Sequence, residues 1–303
     1  MALNGGEWIF FSNKVVEIKK KIVILHLDMS TSLMTSLLRN IFMALVSMAV
    51  LTSCGEYYRV QRSTDPEYKL DFARRAFEKK KYAQAAATLE EIVTSFKGSE
   101  KAEETLYLLA LSHYENQDYV TSGEWFKKYY DRYPRGKYAE LARFYAGYGY
   151  YLDSPEPQLD QSGTIRAIQE LQSFLEFFPR SDKVSIAQNA IFELQDKLTL
   201  KQLQNAQLYY NLGSYRGNNY ESAVIVARNA IKDYPYSKYK EDLEMLILKA
   251  RYQEAAQSVE EKKADRYRVV VDEYYSFINN YPDGLNRQEA ENIFNIATKY
   301  VAE

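Results

Sequence analysis

The chain has 303 residues, 46% hydrophobic and 26% charged, an ordinary globular balance that excludes wholesale disorder and leaves ample length to bury a core. Residues 1–53 hold five Lys/Arg and three Asp/Glu, so the remainder keeps 34 basic and 38 acidic groups, and a charge of −4 argues against a nucleic-acid footprint. One cysteine excludes an intrachain disulfide and a cysteine-rich metal site.

The amino-terminal 33 residues carry a basic cluster, Lys19 to Lys21, and a short apolar run, Ile22 to Leu27. They fit no signal-peptide order, and residues 1–33 read as an upstream extension from a start called too early, with Met34 or Met29 as the true start. From Ile41 to Leu51 the chain reads IFMALVSMAVL, preceded by Arg39 and followed by Thr52-Ser53-Cys54. A basic residue, a short apolar stretch and small residues before a cleavage point make residues 34–53 a signal peptide. A membrane span needs about 20 apolar residues, and this run is roughly half that. Leu51-Thr52-Ser53-Cys54 resembles a bacterial lipobox, which implies cleavage before Cys54 and attachment there of a diacylglyceryl group and an N-acyl chain such as palmitate; two chains give stable anchoring. Gly55, where an inner-membrane sorting signal would place Asp, points by the same resemblance to the outer membrane.

Residues 54–65 hold no period and read as a lipidated tether. Asp65-Pro66-Glu67 is a helix start, with Asp as N-cap and Pro in the first turn. Beyond it, aromatic-Pro pairs recur at Tyr133-Pro134, Phe178-Pro179, Tyr234-Pro235 and Tyr281-Pro282. Fifteen positions before each Pro stand Tyr119, Thr164, Tyr220 and Tyr267; twelve before, Ser122, Ala167, Ala223 and Val270; five before, Tyr129, Phe174, Ala230 and Phe277. Phe96-Lys97 keeps the register without the Pro, with Tyr82 in the first position. Steps of three and four mark one face of an α-helix, and Pro cannot continue a helix, so it ends each one.

An amphipathic segment precedes each of these helices, at Ala102–Tyr114, Ala139–Tyr151 and Ile186–Tyr210, the last long enough for one extended helix. Asp153–Gly163, with two Pro in a polar run, reads as a loop. The pattern predicts an all-α fold, a right-handed α-solenoid of about five tetratricopeptide-like helix-turn-helix repeats over residues 66–303, with units near 66–99, 100–136, 137–181, 182–237 and 238–303. Residues 254–273 are highly charged and suit a terminal repeat's polar face or a docked subunit.

The lipobox at Cys54 and the five units together resemble the BamD family, tetratricopeptide-repeat lipoproteins of the outer-membrane β-barrel assembly machinery. Gln204–Tyr215 (QNAQLYYNLGSY) is similar to that family's fourth repeat, and Phe144-Tyr-Ala-Gly147 with the following insertion to its third. The first repeat lacks its Pro, the insertion is short and Tyr is dense. The resemblance, over residues 54–300, implies a protein on the periplasmic face of the outer membrane that binds the barrel-forming BamA and other subunits and helps receive unfolded outer-membrane proteins. Another lipid-anchored scaffold, for instance a peptidoglycan-associated adaptor, is the alternative.

Catalysis finds little footing. Past the cleavage site the only histidine is His113, no Gly-rich phosphate loop occurs, and neither a cofactor nor a metal is implied. The carboxylate pairs Glu103-Glu104 and Glu260-Glu261 are the remaining acid/base candidates, against a solvated helix face. Between Tyr68 and Glu303 there is no room for the catalytic domain of a solenoid enzyme such as a lytic transglycosylase. Lys79-Lys80-Lys81 is turn charge or a contact to anionic head groups. With 28 Tyr in the chain, a groove on the first helices is the sharper expectation: Tyr107, Tyr114, Tyr145 and Tyr148 either line a surface for aromatic peptides or pack within their own repeats, and Arg143 is placed to meet a terminal carboxylate.

Overall fold

The computed structural model describes residues 55–301. The expected upstream extension, signal peptide and lipidated Cys54 lie outside the described residues. Every regular element among these residues is helical, and none of the helices is long and apolar enough to cross a membrane. The described residues divide into two units, 55–72 and 73–301.

The first unit holds α1, residues 55–62, and the opening turns of α2, Pro66–Glu78. Residues 55–62 carry no repeat period, yet they form a helix because neighbours four apart support one another locally. Gln61 donates to the Tyr57 hydroxyl at 3.0 Å, and the Arg62 guanidinium lies 4.3 Å from the centre of the Tyr58 ring. The Tyr57 ring stacks on Phe72. Asp65 begins α2 as the sequence predicts, its carboxylate accepting from the Glu67 N–H at 2.9 Å.

The second unit continues through α3 (Tyr82–Ile92), α4 (Ala102–Glu115), α5 (Tyr119–Arg132), α6 (Ala139–Leu152), α7 (Ser162–Phe177), α8 (Val184–Leu212), α9 (Asn219–Asp233), α10 (Lys240–Ala256), α11 (Glu260–Asn280) and α12 (Arg287–Val301). From α3 onward each helix packs against the next, and alternate helices also touch: α4 with α6, α6 with α8, α8 with α10, α10 with α12. The first helices thus share one layer and the second helices stand against it. This is an all-α, tetratricopeptide-like solenoid.

The repeated stripe is what the layers share. Tyr129, Phe174, Ala230 and Phe277 are buried, as are Ser122, Ala167, Ala223 and Val270 two turns earlier on the same face. A small side chain at the latter position lets helices approach closely enough that the Ser122 hydroxyl donates to the Ala110 carbonyl of the facing helix at 2.9 Å. Tyr220 and Tyr267 are buried and Tyr82 and Tyr119 half-buried, each at the start of its helix.

Each aromatic before a Pro leaves the helix in one conformation. Tyr133, Phe178, Tyr234 and Tyr281 have φ between −124° and −134° and ψ between 58° and 67°, while their N–H groups still donate to the carbonyl four residues back. Clash with the proline ring excludes the α region for the preceding residue. Pro134, Pro179, Pro235 and Pro282 are exposed and stop the helices. After Pro282 no aromatic-Pro pair marks the chain, and α12 is the element that the register does not announce. It buries Ala290, Ile293 and Ala297 and turns a polar face outward. Residues 254–273 fall partly in the end of α10 and mostly in α11, the second helix of its pair.

Two glycines are set by close approach. Gly213 closes α8 at φ +55°, and a Cβ there would lie 2.7 Å from the Tyr220 hydroxyl. On α6, a Cβ at Gly147 would stand 2.8 Å from the Leu171 side chain and 2.9 Å from its backbone nitrogen. Backbone cannot swing aside as a flexible side chain can. Gly147→Ala is therefore expected to lower stability by about 1–3 kcal/mol through overpacking, read as a lower urea midpoint at unchanged m-value.

Candidate protein-binding surface

A solenoid can present a binding surface only if its units keep their spacing, and a recurring carboxylate performs that task here. Glu103 of α4 accepts from the Tyr129 hydroxyl at 2.5 Å and from the Lys137 N–H at 2.6 Å, in the turn that follows Pro134. Glu140 of α6 accepts from the Ser181 hydroxyl at 2.6 Å after Pro179. Asp196 of α8 accepts from the Ser237 hydroxyl at 2.7 Å and the Lys238 N–H at 3.1 Å after Pro235. Glu241 of α10 accepts from the Asn286 N–H at 3.1 Å after Pro282. Four times, an acid on the first helix ties the turn leading to the next unit. Such bonds to a charged acceptor are stronger than neutral ones. Burial and the Glu103 contact push the Tyr129 hydroxyl well above the ordinary tyrosine range.

The carboxylate pairs weighed for catalysis are therefore placed individually. Glu104 receives both Nε and Nη2 of Arg74 at 2.8 Å, and Glu260 pairs with Lys263. Among the described residues no group of three or more His, Cys, Asp or Glu could hold a metal ion. His113 is buried, with its two ring nitrogens 3.0 Å from Asp118 and 3.1 Å from Glu90, so it joins α4 to the start of α5 and to α3.

The tyrosines singled out by sequence form one aromatic cluster. Tyr107 is buried and lies parallel to Tyr138 with ring centres 4.1 Å apart, next to Phe126 and Tyr129. Tyr114 and Tyr145 meet at 4.7 Å, and both touch Phe126. Tyr148 stacks on Phe144 and meets Tyr151. Tyr114, Tyr145 and Tyr148 are half-buried. Burial, reinforced by neighbouring tyrosines, raises the hydroxyls of Tyr107 and Tyr114 far above the usual range. The hydrogen bond to Glu193 and then burial push Tyr151 up to about 12. Tyr107, Tyr114 and Tyr151 therefore stay protonated near neutral pH, and the rings of the cluster serve packing and hydrogen bonding.

Arg143 sits between two rings, 4.2 Å from the centre of Tyr130 and 3.8 Å from that of Phe177, and donates to the Ser173 hydroxyl at 3.1 Å. Its guanidinium bridges α5, α6 and α7. Lys79 and Lys80 are exposed at the turn between α2 and α3.

Sequence reasoning did not single out a cleft of about 600 Å³ between α8, α10 and α12, with Leu203, Leu208, Met245 and Leu246 as its apolar part and Gln207 and Lys249 among its polar part. Leu208 is 59% exposed and Tyr215, on the loop beyond, 63%. That loop is held: Ser214 donates to Gln257, and Asn218 to Glu254, which also accepts from Arg251. The available signal was the Gln204–Tyr215 stretch, whose apolar residues outnumber what one buried face of α8 requires.

Residues 66–218 match the family model YfiO, described as an outer membrane lipoprotein. No curated protein matches the chain in sequence. Among solved structures it is similar to the complex titled "TPR2AB-domain:pHSP90-complex of yeast Sti1", at 13% identity and a TM-score of 0.35, over 77% of this chain and 98% of that one.

Two substitutions probe this geometry. Glu103→Gln keeps the shape but replaces a charged acceptor at the clamp, and a loss of about 1–3 kcal/mol is expected in urea unfolding. Burial alone would raise the Asp118 carboxyl, but hydrogen bonds from Thr121 and His113 overcome it and hold the group below its ordinary 3.8. A depressed folded value stabilises above the unfolded value and is lost as pH falls through the folded one. Asp118 is partly exposed, so the effect stays below about 1 kcal/mol. The stability gap between the unaltered chain and Asp118→Asn should shrink on acidification below the ordinary carboxylate range.

Proposed function

The chain belongs to the YfiO family of outer-membrane lipoproteins, and from that premise we propose that it is a component of the β-barrel assembly machinery. In this reading it is held on the periplasmic face of the outer membrane by acylated Cys54. Its repeats bind a BamA-like barrel protein and other machinery subunits, and they receive unfolded outer-membrane proteins. The role is to hold partners in register, without a catalytic step.

The observation that carries the reading is the family match over residues 66–218, which spans the first three helix pairs, the whole of α8 and the turn after it. Rigidity supports it, because clamped turns and interleaved rings give the first-helix layer a spacing that does not depend on the partner. For the substrate we take the half-buried rings of Tyr114, Tyr145 and Tyr148 as the aromatic contact, with Tyr107 supporting them from beneath. Arg143, already stacked between Tyr130 and Phe177, would order that surface more than it would meet a free carboxylate.

A pull-down of the tagged, full-length chain from membranes in mild detergent tests the reading. A large barrel protein with tandem periplasmic domains is expected to co-purify. Recovery of peptidoglycan-associated proteins with no barrel protein would replace the reading with that of a cell-wall scaffold.

A further inference from the structure

Basic side chains on these helices mostly have acidic partners. Lys127 reaches Asp131 at 3.0 Å, Arg166 faces Glu124, and Lys249 meets Glu289 at 2.7 Å. Three cations beside α5 do not. Lys97, Lys128 and Arg132 line one pocket of about 220 Å³ between the end of α3, the start of α4 and α5, and none of the three forms an ion pair among the described residues. No acidic residue lines that pocket. Its floor is apolar, built from Val93, Ala102 and Leu106, and its wall is aromatic, built from Trp125 and Tyr133. The Lys128 ammonium lies 3.8 Å from the centre of the Trp125 ring, and Arg132 lies 5.8 Å from that of Tyr133. Arg135 and Lys137, exposed in the turn after Tyr133-Pro134, extend the positive charge beyond the rim.

Three like charges around a small apolar hollow repel one another when the hollow is empty, so the arrangement favours an anionic occupant with an apolar body. A phospholipid's phosphodiester carries its charge on two non-bridging oxygens flanked by ester and headgroup oxygens, so several cations can approach it from different sides, whereas a single Arg satisfies a carboxylate in bidentate fashion. Trp, Tyr, Lys and Arg together are also the side chains that settle at a lipid-water interface, with rings at headgroup depth and cations reaching phosphates. We propose that this pocket binds the headgroup of an anionic phospholipid and so docks the repeat domain onto the membrane surface. The inference uses only the lipid anchorage of the family, not the assembly-machinery partners, so a failed pull-down leaves it standing.

Trp125 is the only tryptophan in residues 55–301, so the pocket reports on itself. The acylated chain beginning at Cys54 is reconstituted into vesicles of phosphatidylcholine alone or of phosphatidylcholine with phosphatidylglycerol. The anchor is then common to both samples, and only the headgroups differ. The expected result is a blue shift of tryptophan emission and weaker quenching by neutral acrylamide in the anionic vesicles, both reversed at high salt. Trp125→Phe identifies the signal. Each of Lys128→Gln and Arg132→Gln, at exposed positions, should reduce the fraction docked by about fivefold, and far-UV circular dichroism confirms that the variants are folded. Identical spectra in the two vesicle types would overturn the proposal, as would a shift that survives in the Lys128→Gln/Arg132→Gln double variant. The same shift on neutral vesicles after adding an aromatic-terminated peptide would assign the pocket to peptide and overturn the lipid assignment.

Discussion

In four successive pairs, from α4–α5 to α10–α11, a carboxylate on the first helix reaches forward to the turn that ends the same pair, and that tie fixes how one pair meets the next. Glu103, Glu140, Asp196 and Glu241 each accept hydrogen bonds from a turn immediately after an aromatic-Pro helix end. Proline supplies the stop by excluding helical conformation from the residue before it. The carboxylate supplies the direction in which the next helix leaves. Without the first, the second helix would run on. Without the second, turn N–H groups would lack partners, and the angle between successive pairs would be set by weak apolar contacts alone.

With the turns tied, the abundant tyrosines acquire their use. A phenylalanine fills the same volume, but a tyrosine also places a hydroxyl at the edge of the packed layer. Tyr129 donates to Glu103, Tyr130 to Glu170 and Tyr151 to Glu193, each joining one helix to another. Ring stacking and hydrogen bonding therefore hold the α4 to α8 region together. Arg143 continues the same logic, with its charge facing ring faces and its N–H meeting Ser173. The surface offered to a partner is stiff for these reasons.

The charge distribution separates two kinds of surface. Toward the C-terminal end, the cleft between α8, α10 and α12 mixes amide, acidic and basic groups with apolar side chains, the composition of a protein interface. Near α5, Lys97, Lys128 and Arg132 stand without ion-pair partners among the described residues around a pocket walled by Trp125.

How much of this was legible beforehand depends on distance along the chain. The stripe at three- and four-residue steps and the Pro after each aromatic belong to single helices, so Tyr129, Phe174 and Phe277 declared themselves buried and Tyr133-Pro134 declared an end. Gln204–Tyr215 stood out for its resemblance, and one of its exposed apolar residues, Leu208, lines the cleft. Helix α12 carried no such mark because the register stops at Pro282. The clamp partners lie 34 to 45 residues apart, and periodicity within a helix says nothing of what faces it across a turn. Glu103 therefore read as a solvated acid and Arg143 as a cation placed for a terminal carboxylate, and no pattern singled out Lys128 or Arg132. The sequence by itself determined the helices, their ends and their buried faces, since those follow from local sterics and a 3.6-residue period. Only the tertiary structure decided which acids tie the turns, which tyrosines are interleaved and where cations are left without partners, because each of these depends on the angle between neighbouring repeats.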